Sequence, residues 1–328
     1  MRKFIIGIFI SIAFIAVLAW KFDYKEFQHI WSQIAYGYLM PTIAFQLLGA
    51  VIFSVRWYYL LGKDLKLKHC ISSSFIGYGA NMVLPARGGD LLRVFYGRQE
   101  AALQFFNVLS KLFIEKVIDF IFVLLVGIFA FFFIGNTKGN LGSYTVFFVS
   151  GSIVAGVIVM LFILRFYNEW LRSILHSIAS KFNKEKFFEE HVASHLTDLG
   201  EFLKIKNFIV PFFYTVIMWA TYVTTYGLTA KMLGLELNIF ELLFTLFCGG
   251  MSLAVPSAPS GIGVFHASVV SAFLLMGKDG NTGLVYATAL HLVSFFTLTV
   301  SGLVFYLYWT YKRRHSGKPV IEKEENHS

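Results

Sequence analysis

N-M-V-L-P-A-R-G-G-D-L-L-R, residues Asn81 to Arg93, decides how the rest of this chain is read. An apolar run enters it, Pro85 and the pair Gly88-Gly89 break it, and Arg87, Asp90 and Arg93 follow at once. In a soluble protein such a stretch is a loop that opens a helix. Here long apolar segments lie on both sides, so the break sits at or inside a bilayer.

The composition supports that setting. Of 328 residues, 57% are hydrophobic, 18% aromatic and only 14% charged, and the mean hydropathy is +0.66. Charge is scarcer than in soluble domains, and continuous apolar runs long enough to span a membrane recur. They lack the two-residue alternation of a membrane β-barrel. The expected fold class is all-α, a polytopic membrane protein with about six to eight transmembrane helices and two broken or re-entrant segments. The net charge of +9 belongs to loops that resist translocation rather than to a nucleic-acid surface, for which no soluble basic domain exists. Cys70 and Cys248 lie beside or within apolar runs without metal-ligand spacing, and read as buried free thiols.

Working outward along the chain, Arg2 and Lys3 precede an apolar run from Phe4 to Trp20, with no small-x-small cleavage site after it. This reads as an uncleaved signal-anchor helix. A second helix covers Tyr38 to Leu61, with Pro41 in its first turn, where proline is tolerated. Arg56 lies near its inner end, where it can snorkel to the headgroups or contact substrate. The loop Gly62 to His69 carries Lys63, Lys66 and Lys68, and Ile71 to Leu84 reads as a re-entrant half-helix. Spans follow at Val117 to Ile134 and Tyr144 to Phe166, then a charged connector at 167–206 with no more than surface helices. The second half has a span at Phe208 to Met232 and apolar runs at Ile239 to Val255 and Val264 to Met276, separated by P-S-A-P-S-G-I-G at Pro256 to Gly263. A last span runs from Leu284 to Tyr311. These form one integral membrane domain, 1–315, made of halves 1–166 and 207–315, before a polar, disordered tail at 316–328.

With both termini cytoplasmic, the external lysines are Lys21, Lys25, Lys138, Lys231 and Lys278, five of 28 Lys plus Arg. The parity is the same whether 239–276 is two spans or one re-entrant hairpin.

The two breaks occupy similar places in the two halves, approached from opposite sides, an arrangement that admits an inverted repeat. A broken helix exposes free amides at a positive dipole end, and such backbone survives at membrane depth only where it lines a cavity. Arg87, Arg93 and the amides of Gly88 and Gly89, entered from Asn81, can form a phosphate seat, with Asp90 orienting or neutralising the arginines. The competing reading is a cytoplasmic arginine cluster with Asp90 as a helix-start carboxylate. Ser257, Ser260, Gly261 and Gly263 either supply amides from the other side or merely join two helices. Lys111, Glu115 and Asp119 share one helix face; Lys111 and Glu115 can pair, whereas Asp119 needs a cavity or a partner. His266 and His291 are either packed, hydrogen-bonded histidines or parts of a proton relay. No nucleophilic triad, nucleotide loop, zinc pair or dinucleotide fingerprint is present, so neither catalytic residues nor a cofactor or metal are expected.

These motifs together resemble the lysylphosphatidylglycerol synthase transmembrane family, also called flippase-like or UPF0104. The matching pieces are Arg56-Trp57, Asn81 to Arg93, E-K-V-I-D at Glu115 to Asp119, Pro256 to His266, and Ala287 with His291. The family pattern is N-x-x-L-P-x-R-x-G-E-x-x-R, then E-R-x-x-D, then P-x-P-G-G-x-G-x-x-E or H. This chain departs from it at Asp90 for glutamate, Lys116 for arginine and Ser260 for glycine. The resemblance implies movement of a lipid between leaflets, without the soluble domain that makes aminoacylated lipid in other members. The expected substrate is an anionic phospholipid or polyisoprenoid-phosphate lipid in a cell inner membrane. Arg87 and Arg93 would hold the phosphate, and Glu115, Asp119, His266 or His291 would serve a proton-coupled step. The rival readings are a lipid-headgroup transferase using Asp90, Glu115, Asp119 or a histidine as base, and a scaffold that partners a glycosyltransferase or other lipid-modifying enzyme.

Overall fold

A computed structural model describes residues 31–84, 87–135, 165–189, 204–252 and 259–315, together with positions 28, 152, 155, 156, 159, 163 and 193. The signal-anchor helix at 4–20, most of the span at 144–166, the loop residue Ser257 and the tail at 316–328 lie outside the described residues. Within them all regular structure is helical. In chain order the helices are α1 (Leu39–Leu60), α2 (Leu67–Val83), α3 (Gly88–Ala101), α4 (Phe105–Gly135), α5 (Asn168–Lys181), α6 (Ile205–Met232), α7 (Ile239–Ser252), α8 (Val264–Leu275) and α9 (Gly280–His315). By length and composition α1, α4, α6 and α9 are able to cross a membrane. The chain is a polytopic membrane protein.

α2 and α3 fold back on each other as a short antiparallel hairpin. A Cβ on Gly89 would collide with the carbonyl of Gly77, and Asn81 reaches Asp90 at 3.3 Å. At the open end His69 meets the Tyr96 hydroxyl at 3.1 Å and Glu100 at 3.6 Å. α7 and α8 form a second hairpin, closed at its base by Lys278 and Glu241 at 3.0 Å. A capping box starts α7: Asn238 Oδ1 accepts from the amides of Phe240 and Glu241, while Glu241 accepts from that of Asn238. At about 21 Å and 18 Å, α7 and α8 are each too short for a hydrocarbon core of about 30 Å. The described parts of 239–276 are thus two short apolar helices packed on each other, the form expected of a re-entrant hairpin.

α9 is the ruler against which both hairpins can be placed. Its early residues meet the second hairpin: Gly283 packs on Phe273, and His291 Nε2 lies 2.9 Å from Ser260 Oγ. Its later residues meet the first: Gly302 touches Gly79, Phe305 stacks on Phe75 at 4.8 Å, and Trp309 donates to Glu100 at 2.7 Å. The hairpins thus enter from opposite ends of the bundle. The turn Pro259–Gly261, beside the second break, packs on α2.

Lys63, Lys66, Lys68, Arg98, Lys204, Lys312, Arg313 and Arg314 gather at the end where the first hairpin opens, whereas Lys231 and Lys278 mark the other. Each end has its own apolar cluster. Trp57, Leu61, Cys70, Val94 and Leu112 pack at the basic end, and Phe244, Val269, Phe273, Tyr286 and Leu290 at the opposite one.

One expected boundary is corrected. The span expected at Val117 begins at Phe105, because Lys111, Glu115 and Lys116 lie within the helix rather than marking a membrane edge. At least Glu115 and Lys116 find charged partners on other helices there.

Candidate functional site

The helices bring six ionisable side chains into one layer, with Arg56, Asp90, Arg93 and Glu115 buried and Lys116 and Asp119 partly exposed. Arg56 of α1 is wholly enclosed and forks onto Asp119 of α4, with bonds of 2.6 and 2.9 Å. It also donates to Thr215 of α6 at 2.8 Å and lies 3.8 Å from Glu115. This corrects one expectation for Arg56: enclosed and paired, it does not snorkel. Trp219 of α6 donates to Asp119 at 3.3 Å.

Arg93 of α3 forks onto Glu115 at 2.8 and 2.9 Å. Its guanidinium lies 4.2 Å from the Trp57 ring centre and 4.4 Å from that of Phe53, close enough for cation–π attraction. Lys116 sits 3.2 Å from Asp90 and 3.4 Å from Glu115. Three cations (Arg56, Arg93, Lys116) thus meet three anions (Asp90, Glu115, Asp119), and the layer sums to zero. Glu115 is held by the arginines and Lys116, and Asp90 is nearer Lys116 than Arg93, which it approaches at 3.8 Å.

The fold therefore gives Arg87 and Arg93 different surroundings. Arg93 is 1% exposed and paired. Arg87 is exposed, pairs with no charge among the described residues, and holds the left-handed backbone (φ 56°, ψ 40°) that starts α3. The Arg87 side chain does not cap that start. At the second break Gly263 (φ 85°), which has no side chain to cap with, starts α8. Two helix N-termini, each a positive dipole end, thus stand at the inner tips of hairpins from opposite ends.

Ser260 holds φ 58°, and the neighbouring Gly261 φ 73°. A left-handed residue with a Cβ costs about 1–2 kcal/mol, which the hydroxyl's bond to His291 offsets by about 0.5–1.5 kcal/mol. This explains how serine serves where the family pattern has glycine. His266 stacks on His291 with ring centres 5.0 Å apart, and among the described residues its Nδ1 has no hydrogen-bond partner. Asn81 stands near the first tip with its Oδ1 likewise unpartnered.

At the basic end Glu100 accepts from Trp309 at 2.7 Å and from Arg313 at 2.9 Å. Burial pushes its carboxyl up, but these bonds and the charges of His69 and Arg313 outweigh that and hold it below its ordinary range. Sequence reasoning missed this latch, and also the Tyr78–Tyr222 hydroxyl contact of 2.9 Å between α2 and α6. Nothing in residue spacing connects such distant positions.

Residues 4–302 match the family model described as the lysylphosphatidylglycerol synthase TM region. The chain is also similar to a UPF0104 membrane protein, MJ1078, from Methanocaldococcus jannaschii. The two are 25% identical over 251 residues, which cover 74% of this chain and 98% of that relative. No solved structure matches.

Proposed function

The chain belongs to the lysylphosphatidylglycerol synthase transmembrane family, and from that premise we propose that it moves a lipid with an anionic headgroup between the leaflets of a cell membrane. The basic end and both termini face the cytoplasm, as the lysine and arginine asymmetry favours. The observation that carries this reading is the pair of helix starts at the inner tips of opposed hairpins, with Arg87 exposed at one of them. Opposed, broken helices of this kind mark transporter substrate sites, and their positive ends suit an anion. Arg87 and the amides after it take the phosphate of a phospholipid or polyisoprenoid-phosphate lipid. The 259–263 turn faces it from the other side, and the acyl chains stay in the bilayer. Arg93 positions the hairpin through Glu115 instead of binding the headgroup.

Mass spectrometry of lipid retained by the purified protein tests this. Wild type should carry an anionic lipid that Arg87→Ala loses and Arg98→Ala keeps; identical lipid in all three would overturn the assignment.

One observation favours an enzymatic second reading. The carboxylates are engaged by cations, which leaves Ser260 and His291, at 2.9 Å, as a nucleophile and base for headgroup transfer. A chemically altered lipid after incubation with a donor, abolished by His291→Ala, would select it.

A further inference from the structure

α5 carries an apolar face that neither the bundle nor the hairpin site uses. At helical spacing its residues divide into two sides. Leu171, Leu175 and Ala179 are half-buried, and Leu171 packs on the basic-end cluster that includes Trp57, Leu61 and Leu112. That contact sets α5 at the level where α1 ends and α4 and α6 begin. From there the apolar surface continues into the open, onto Trp170 (57% exposed), Ile174 (36%), Ile178 (48%) and Phe182 (72%). These recur every fourth residue, as one stripe running the length of the helix. Glu169, Arg172, Ser173, His176 and Ser177 occupy the other side.

Fourteen residues make a rod of about 21 Å, too short to cross a bilayer. The charges around it are mixed: Arg172, Lys181, Lys184 and Lys186 stand among Glu169, Glu185 and Glu189, and Arg172 binds Glu189 at 2.7 Å. α6, entering the bilayer just after this connector, exposes Ile209 (58%) and Phe213 (59%), so lipid-facing surface lies at the adjoining depth.

We propose that α5 is an interfacial helix docked on the leaflet at the basic end. Its stripe is sunk among the upper acyl segments, and its polar side faces the headgroups and water. A helix with an apolar half, a polar half and flanking Lys and Arg lies in the plane of the interface, and tryptophan favours that depth. The lipid surface is favoured over a protein partner because the stripe begins at the level of the span ends and adjoins the lipid-facing residues Ile209 and Phe213 of α6.

The test uses the full-length protein in vesicles of phosphatidylcholine with and without phosphatidylglycerol. An environment-sensitive fluorophore is placed at Ile178→Cys or, on the polar flank, at Ser173→Cys, with unsubstituted protein as the labelling control for Cys70 and Cys248. Nitroxide-bearing lipid should quench position 178 several-fold more than 173, and aqueous iodide should do the reverse, in both kinds of vesicle. Equal iodide quenching at both positions overturns the proposal. So does a position 178 that is wet in vesicles yet shielded in native membranes, which would point to a protein partner. Phe182→Cys repeats the reading should the label at 178 disturb folding.

Discussion

Arg93 and Glu115 are joined by two hydrogen bonds of 2.8 and 2.9 Å, and both side chains are shut off from solvent. The pair locks the returning helix of the first hairpin to α4. Removing two charges from water is costly, and the fork repays that only while both partners are present. Arg93→Ala alone should therefore destabilise by about 3–5 kcal/mol. Arg93→Met combined with Glu115→Leu should recover most of that loss in denaturant unfolding from detergent. A double variant as unstable as the two single losses added together would refute this account of the layer.

Gly79 and Gly302 let α2 and α9 touch backbone to backbone. A Cβ on Gly79 would lie 2.8 Å from the Leu298 carbonyl and 2.9 Å from Gly302 Cα. Neither neighbour can swing aside as a side chain could. Gly79→Ala and Gly302→Ala should each cost about 1–3 kcal/mol. Gly37→Ala, with nothing within 4 Å, should stay within about 0.5 kcal/mol of wild type in the same thermal assay.

Ser260 combines a left-handed backbone with one compensating hydrogen bond. Ser260→Gly removes both the strain and the bond, so its effect should stay below about 1 kcal/mol. Ser260→Ala keeps the strain and loses the bond, and should be the less stable of the two by about 1 kcal/mol. Unfolding midpoints that rank glycine below alanine would contradict this.

Glu100 ties the open end of the first hairpin to α9 through Trp309 and Arg313. Its folded carboxyl value is depressed, so the stabilisation is full above the unfolded value of about 4.3 and is lost as pH falls through the lower folded value. Hydrogen exchange in α3 should therefore quicken only below about pH 4.3. In Glu100→Gln that acid-dependent step should disappear.

The long spans were legible because apolar runs at α1, α6 and α9 announce themselves, with boundaries off by only a few residues. The first re-entrant segment was legible because Pro85, Gly88 and Gly89 break a run with basic flanks on both sides. What was hidden depends on partners. Val117 looked like the start of a span because Lys111, Glu115 and Lys116 carry charge, yet Arg93 and Asp90, brought in by the hairpin, neutralise two of them. Arg56 looked like a snorkelling residue for the same reason, since Asp119 stands 63 positions away in the chain. The contrast between Arg87 and Arg93 was invisible as well: their spacing is silent on which one faces α4.

Transfer of a fluorescent anionic phospholipid across proteoliposomes tests the central claim most directly. Arg87→Ala should abolish protein-dependent movement, while Arg98→Ala, an exposed arginine on the same helix, should leave it intact. Movement at the wild-type rate in Arg87→Ala protein would contradict an anion site at the hairpin tips.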